Sequence, residues 1–376
     1  MSNKTNIINN FILLGSVLVT MLISAIVLFS QQMMIEFSAF LGIAIFFLLN
    51  LFAHEFAHIF VAKRKGFKVR SFKFFTLRFY KDGKKIKVIN EGFGDQMGET
   101  EFYPICEENL KDRYKSVAKA GIIANSVLFF ISIAFMPFWK TFADNNLMIL
   151  TQLTVFAMPI SAYFVLENAL PMSSGNYRND GAVIYGIVKG DPVIDVMLSL
   201  MLISVKLYEG KTPSEIDEKY FFNLPQIAED EPYFIVLLNN RYYYYLDKGD
   251  YKKAKEIALR LQTLYDYMDK YDYTETQADM LYNYSTFMFD EDEADNLMED
   301  NEKYLNRVFS VRNIRAKLAY ALYVLKDNEL AKILYNRALS EADKCLISGV
   351  KKMELKLILK MEKDIDFSEN EPKDAE

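Results

Sequence analysis

The chain has 376 residues, a formal net charge of −6 and hydrophobic residues at 51% of its positions. This length is enough for two domains of ordinary size, and the mild acidity gives no reason to expect a nucleic acid as partner. The two cysteines, Cys106 and Cys345, lie far apart and match neither a disulfide framework nor a zinc-cluster spacing, so a reducing compartment is compatible with both regions.

Long apolar runs dominate the chain before about residue 170. Because ~20 residues cross a bilayer as a helix, these runs predict four transmembrane helices, at about 9–30, 37–62, 118–139 and 147–169. The first run is longer than a signal-peptide core and lacks a convincing small-residue cleavage site. We therefore interpret it as an uncleaved membrane helix, with a removed signal peptide as the alternative.

The charges between these runs predict which side of the membrane each connection occupies. Connection 63–117 begins with a dense basic stretch, whereas Lys140 is the only basic residue in connections 31–36 and 140–146. The positive-inside rule then places 63–117 and both termini in the cytosol. We expect a multi-pass protein of a cell membrane, and a composition rich in Asn, Lys, Ile and Tyr indicates a bacterial source.

Residues 68–90 alternate polar and apolar side chains around Asp82-Gly83, which predicts a β-hairpin next to the membrane. The Gly-rich run 91–99 is predicted as turn. Two roles for the hairpin remain open. It could offer an edge strand to an extended substrate, or it could rest on anionic headgroups as an amphipathic ribbon.

From about residue 191 the pattern becomes helical and amphipathic. Two similar segments, beginning at Leu246 and Leu325, each end one helix, turn, and start another. They resemble the helix–turn–helix units of tetratricopeptide arrays, so we predict a cytosolic domain of stacked α-hairpins over 191–365 that binds a protein partner. For the Tyr242–Tyr245 run, core packing is favoured over a recognition patch. Residues 366–376 are predicted to be a disordered acidic tail.

The only two histidines, His54 and His58, stand four residues apart inside the second apolar run, and Glu55 follows the first of them. On a helix these positions share one face, so both imidazoles can reach one metal ion. Two His ligands plus a carboxylate that takes a proton from water form the core of zinc-dependent peptide hydrolysis. Ionisable groups are costly in a membrane helix, which argues for function over the alternative of a polar pair that stabilises a bundle.

Catalytic zinc generally has three protein ligands, and the chain has no third histidine. After the fourth span, Pro171 and a Ser-Ser-Gly run break the helix and lead to Asp180. We expect Asp180 to supply the third ligand, with Glu167 as the reserve candidate. The alternative for Asp180 is a residue that forms a turn or caps a helix.

The pattern resembles the site-2 protease family of intramembrane zinc proteases. That family has HExxH on one transmembrane helix, Asn-x-x-Pro and Asp-Gly in or after a later one, and a Gly-x-x-x-Asn element between them. The similar segments here, all between residue 37 and about 190, are 54–58, 168–171, 180–181 and 121–125. The sequence departs from the family in its longer gap before Asp180 and in Asn179, which stands where the family commonly has Leu.

The resemblance implies an intramembrane zinc metalloprotease, in domain 1–190, that hydrolyses peptide bonds in or near transmembrane segments of membrane-anchored proteins or peptide precursors. Its activity would be regulated intramembrane proteolysis, with Glu55 as general base on a zinc-bound water. It also implies that Asn125 and Asn168 contact the substrate, although amides in lipid can instead link helices.

The expected fold is an all-α membrane protein of four transmembrane helices with a small membrane-adjacent hairpin, joined to the helical-repeat domain. Two other functions remain open. One is a catalytically silent membrane scaffold whose helical domain captures a partner. The other is a membrane metalloprotease with a glutamate third ligand that acts on soluble substrates.

Overall fold

The computed structural model describes residues 34–82, 85–92, 97–144, 147–174, 177–308 and 310–367. The described part is mostly helical, with one four-stranded antiparallel sheet and one two-stranded pair. The predicted span at about 9–30 lies outside the described residues, and so does nearly all of the predicted tail 366–376. The chain divides into two compact units, unit 1 at residues 1–194 and unit 2 at residues 195–376.

Unit 1 contains six described helices: α1 (Met34–Arg64), α2 (Leu110–Phe135), α3 (Phe138–Asp144), α4 (Met148–Val155), α5 (Ala157–Ala169) and α6 (Asp180–Lys189). Within the described residues, three segments are long and apolar enough to cross a membrane: Phe37–Arg64, Leu110–Phe135 and Met148–Ala169. The helix predicted at 118–139 therefore begins and ends earlier than expected. Its charged first turns continue the helix beyond the apolar run, so hydropathy alone misplaced its start.

Three prolines set the helix ends in unit 1. Pro137 has no N–H to donate to Ile133 O, four residues before it. That carbonyl accepts a hydrogen bond from Met136 N at 3.1 Å instead, and α2 ends there. Pro159 cannot donate to the carbonyl four residues before it, and the predicted fourth span is accordingly divided into α4 and α5. Pro171 disfavours helical backbone at Leu170, which is extended, so α5 ends at Ala169.

Helix α1 is apolar on its outer face and polar on its inner face. The outer side chains include Phe40, 67% exposed, and Phe56, 52% exposed. Asn50 on the inner face is fully buried and donates from Nδ2 to Ser161 Oγ on α5 at 3.0 Å. Large exposed apolar side chains of this kind suit lipid rather than water, whereas the buried amide links two helices.

The sheet of unit 1 consists of β1 (Phe67–Phe74), β2 (Leu77–Asp82), β3 (Lys85–Asn90) and β4 (Gly98–Pro104), in the order β3-β2-β1-β4. The predicted hairpin is present as β2 and β3, which pair from Leu77 with Asn90 to Asp82 with Lys85. The prediction was incomplete because a tight turn at Phe75, whose φ is 59°, separates β1 from β2. It was wrong at Gly98 and Glu99, which belong to β4 rather than to a turn because they pair with β1.

The two faces of this sheet differ in polarity. On one face, the rings of Phe72 and Phe74 on β1 meet the ring of Phe52 on α1, with centroids 6.5 and 5.9 Å apart. On the other face, Arg78 pairs with Glu91 and Glu99, each at 2.6 Å. The apolar face therefore packs on α1 and brings β4 beside the inner face of that helix.

Unit 2 is helical throughout its described part. Its principal helices are α7 (Pro192–Tyr208, which begins in unit 1), α8 (Lys219–Phe222), α9 (Pro232–Lys248), α10 (Tyr251–Gln262), α11 (Lys270–Asn283), α12 (Glu291–Arg307), α13 (Val311–Tyr323), α14 (Asn328–Asp343) and α15 (Ser348–Glu362). From α9 to α14, successive helices pack as pairs joined by short connections. Tyr242 and Tyr244 are buried in this packing at 1% and 2% exposure, so these two tyrosines belong to the core.

A buried arginine joins three helices of unit 2. Arg315 on α13 is fully buried and donates to Asp279 Oδ1 on α11 at 2.8 Å and to Glu354 Oε2 on α15 at 2.7 Å. Its guanidinium also lies 4.2 Å from the ring centroid of Tyr282. Both carboxylates are buried. Without the arginine, Asp279 would keep Arg312 at 3.7 Å, whereas Glu354 would have no ion-pair partner among the described residues.

We expect Arg315→Met to destabilise unit 2 by about 3–5 kcal/mol, because it leaves the buried charge of Glu354 uncompensated. Hydrogen exchange of peptides from α11, α13 and α15 in the full-length protein measures this change. Arg260→Met is the matched control, since Arg260 pairs with Glu229 on the surface and exposed pairs contribute at most about 1 kcal/mol. Equal exchange in the two variants would contradict the structural role of Arg315.

Candidate metal centre

The two histidines meet on the inner face of α1. His54 is 6% exposed and His58 is 7% exposed, and their Nε2 atoms lie 3.0 Å apart. The i, i+4 spacing places the rings one turn apart, and their planes cross at 80°. Two ring nitrogens thus point into one small volume inside a bundle of apolar helices.

Asp180, the first residue of α6, completes a triangle with the two rings. Its Oδ2 lies 3.3 Å from His54 Nε2 and 3.2 Å from His58 Nε2. Ligands about 2.0–2.1 Å from a tetrahedral zinc ion stand about 3.3 Å apart, which agrees with these separations. Within the described residues, Oδ2 is buried without a hydrogen bond of acceptable geometry. A cation at the centre of the triangle would satisfy it, so the residues present fit a metal ion.

The outer nitrogens of both rings have partners. His58 Nδ1 lies 2.9 Å from Val117 O on α2, an arrangement in which Nδ1–H donates and leaves Nε2 bare. His54 Nδ1 lies 3.2 Å from Nδ2 of the fully buried Asn125, which is also on α2. With the amide turned so that Oδ1 faces the ring, His54 Nδ1–H donates in the same way. Asn125 thus lies against His54.

Close approach of α1 and α2 depends on Gly121. A Cβ at this position would lie 2.3–2.6 Å from three atoms of the His54 ring. No side chain larger than hydrogen fits there unless the ring moves. This contact gives the Gly-x-x-x-Asn segment a physical meaning, because Gly121 admits the ring and Asn125, one turn later, hydrogen-bonds to it.

Glu55 lies beside the triangle and is 6% exposed. Thr100 Oγ1 on β4 donates to Glu55 Oε2 at 2.7 Å and fixes one oxygen of the carboxylate. The other oxygen faces Gly98, where an added Cβ would lie 2.7 Å from Oε1. A cavity of about 150 Å³, lined in part by His54, Glu55 and Asp180, adjoins the carboxylate. The arrangement is suited to a base that takes a proton from a small molecule in this cavity.

The remaining predicted residues lie at the end of α5. Asn168 is buried at 5% exposure and donates from Nδ2 to Phe164 O at 3.0 Å and to Glu167 Oε2 at 2.8 Å. Glu167 is not part of the group formed by the two histidines and Asp180. The structure therefore brings Asp180, rather than the reserve candidate Glu167, to both imidazoles.

Asn179 fixes Asp180 to the end of α5. Its Nδ2 donates to Glu167 O at 2.5 Å and to Leu170 O at 2.7 Å, and its Oδ1 accepts from Met172 N at 3.1 Å and from Ala182 N at 2.9 Å. The side chain is thus the N-cap of α6 and a bridge across the break after α5. Asn179 thereby ties Asp180, the candidate third ligand, to the end of α5.

Charge also favours an ionised carboxylate at this position. Burial of the Asp180 carboxyl favours its protonated form, whereas positive charge on the neighbouring His58 and His54 rings holds its pKa below the usual value; when the rings are neutral, a metal ion between them would supply that positive charge. Nearby, burial opposes ionisation of Asp191, yet its hydrogen bond from Arg178 Nη1 at 2.7 Å holds the pKa of Asp191 down as well. Arg178 lines the same cavity as the histidines, and its pairing with Asp191 fixes the guanidinium there.

No protein-family model, curated protein or solved structure matches this chain. Sequence reasoning missed Thr100, Gly98, Val117 and the bridging role of Asn179. For the first three, no motif marks a residue that acts through its place on a strand or helix, whereas an Asn before Asp-Gly at a helix start is a recognisable N-cap signal.

We expect Gly121→Val to lower the affinity of the centre for Zn²⁺ by at least about 100-fold, since the valine would displace the His54 ring from the triangle. Val127→Ile, on an exposed position of the same helix, is the matched control and should leave the affinity unchanged. Competition with a chelator in the purified full-length protein measures both. Unchanged affinity in the Gly121 variant would show that His54 is not a ligand.

Asn179→Leu should lower Zn²⁺ affinity by about 10–100-fold, because residues that orient metal ligands typically contribute that much. Asn179→Asp should lose less, since its carboxylate can still accept from Ala182 N at the start of α6. The absorption spectrum of the Co²⁺-substituted protein reports the geometry of the centre, and we expect it to change in the Leu variant. A spectrum identical to that of the unaltered protein would contradict the bridging role.

Proposed function

We propose that this protein is an intramembrane zinc metalloprotease that cleaves membrane-anchored proteins or peptide precursors in or near their transmembrane segments. The observation that carries the proposal is the meeting of Asp180 with His54 and His58 beside Glu55, the last three on a helix long and apolar enough to span a membrane. Polar groups are costly in such surroundings, and together these four side chains form a hydrolytic set. The resemblance to the site-2 protease family agrees with this function.

His54, His58 and Asp180 would hold the zinc ion, the histidines as neutral imidazoles. When bound, zinc lowers the pKa of a water molecule and polarises the carbonyl of the scissile peptide. Glu55 takes the proton from the attacking water and then returns it to the leaving amine. Thr100 holds the carboxylate through Oε2, so that Oε1 remains free to receive the proton.

The substrate must be locally unwound before it can react, because a transmembrane helix hides its peptide carbonyls. The site lies between α1, α2 and α6, and strand β4 contributes Gly98 and Thr100 to its cavity. An extended segment therefore reaches Glu55 beside a strand rather than through the middle of the bundle. This supports cleavage at an unwound end of a transmembrane segment.

We place four membrane spans in the chain, with both termini in the cytosol, because the basic residues at the end of α1 and in the following sheet follow the positive-inside rule. Unit 2 would then be cytosolic. Its paired helices begin at Pro232, Lys270 and Val311, with a further helix at Ser348. This regular succession supports a tetratricopeptide-like array that captures a protein partner, such as the substrate or a regulator.

Two alternatives are less well supported. In a metalloprotease with a glutamate third ligand, Glu167 would approach both imidazoles, but it is hydrogen-bonded to Asn168 instead. A catalytically silent scaffold has no need of a carboxylate held beside a metal triangle, as Thr100 holds Glu55. The geometry therefore favours an active protease with Asp180 as the third ligand.

The test is co-expression with candidate single-span membrane substrates. We expect Glu55→Gln to lower cleavage by at least about 100-fold, the usual contribution of a general base, and to leave one Zn²⁺ bound per chain. Asp180→Asn should lower both cleavage and zinc content. Glu108→Gln is the control, because the side chain of Glu108 is exposed and lies outside the site. If the fragments form equally with the unaltered protein and with the Glu55→Gln variant, this protein does not cleave those substrates.

A further inference from the structure

A second cavity adjoins the Glu55 carboxylate and the His54 ring. It has a volume of about 220 Å³ and shares His54, Glu55 and Gly98 with the first cavity. Its remaining walls come mainly from α1 and α5 and include the apolar side chains of Phe47, Leu51 and Phe164. A substrate whose scissile carbonyl reaches the metal would therefore extend one flank into this second cavity.

One carboxylate interrupts these apolar walls. Glu167 lines the second cavity and is half-buried, and its carboxylate accepts one hydrogen bond, from Asn168 Nδ2 at 2.8 Å. No lysine or arginine among the described residues lies within ion-pair distance of it. Four other carboxylates of unit 1 do have such a partner, namely Glu91, Glu99, Glu101 and Asp191.

A half-buried carboxylate without a cation is unfavourable, and a cation brought by a ligand would remove that cost. Membrane-anchored proteins can supply such a cation. Lysine and arginine concentrate at the cytosolic ends of transmembrane segments, next to the apolar residues of the span. Glu167 lies near the end of the candidate span Met148–Ala169, and in our proposed topology that end is cytosolic.

We propose that Glu167 is a specificity residue that pairs with a lysine or arginine of the substrate, while the apolar walls of the second cavity hold the neighbouring apolar side chain. This inference rests on the proposed proteolytic function and adds a substrate class to it. The preferred substrate carries an apolar residue and a basic residue on the same flank of the scissile bond. Glu167, in this role, binds substrate rather than metal.

Binding is tested in full-length protein carrying Glu55→Gln, embedded in nanodiscs, so that no probe is cleaved. The probes are a labelled peptide of Leu and Ala ending in one Lys, and a twin with norleucine in place of that Lys. We expect the Lys peptide to bind about tenfold more tightly than the twin. Adding Glu167→Gln should abolish this difference, and adding Glu108→Gln should preserve it.

Equal affinities for the two peptides, or a preference that persists after Glu167→Gln, would overturn the role of Glu167. Should the Glu167 variant not fold, a third peptide ending in Glu decides the question on the protein that retains Glu167. It should bind more weakly than the norleucine twin, and an equal or higher affinity would contradict the inference. These affinities are independent of the proteolytic function, which depends on cleavage by Glu55.

Discussion

The central constraint on this protein is the cost of placing ionisable groups among apolar helices. His54, Glu55 and His58 are all buried on the inner side of α1. Each has a partner from another part of unit 1: Val117 and Asn125 on α2, Thr100 on β4, and Asp180 at the start of α6. The packing of α2, β4 and α6 on α1 therefore supplies a partner for each of these three side chains. A metal ion in the triangle would bind the ring nitrogens that face Asp180.

The part of the fold set by local hydropathy was predictable from the sequence. The apolar runs within α1, α2 and α4–α5 give three candidate spans, and the alternation around Asp82 gives the β2–β3 pair. The exact helix limits were less predictable, because hydropathy does not register charged turns that continue a helix. The pairing of β4 with β1 was missed since it joins residues distant in sequence, and a Gly-rich segment is read locally as turn.

The candidate site was predictable where spacing carries chemistry. The i, i+4 histidines and the intervening Glu55 required only helical geometry, and the helix break after Pro171 indicated that Asp180 could return to them. Proximity within the fold was not predictable. Nothing in the sequence shows that Thr100 holds Glu55, or that Asn125 lies against the His54 ring. Those contacts depend on how the sheet and α2 pack on α1.

The most direct test of the central claim is X-ray absorption spectroscopy at the zinc edge on the purified full-length protein. The account predicts one zinc ion per chain, with two imidazole nitrogens at about 2.0–2.1 Å and at least one oxygen at about 2.0–2.2 Å. The imidazole contribution should fall by half in a His58→Ala variant. A protein that binds no zinc, or whose zinc lacks imidazole ligands, would contradict the account.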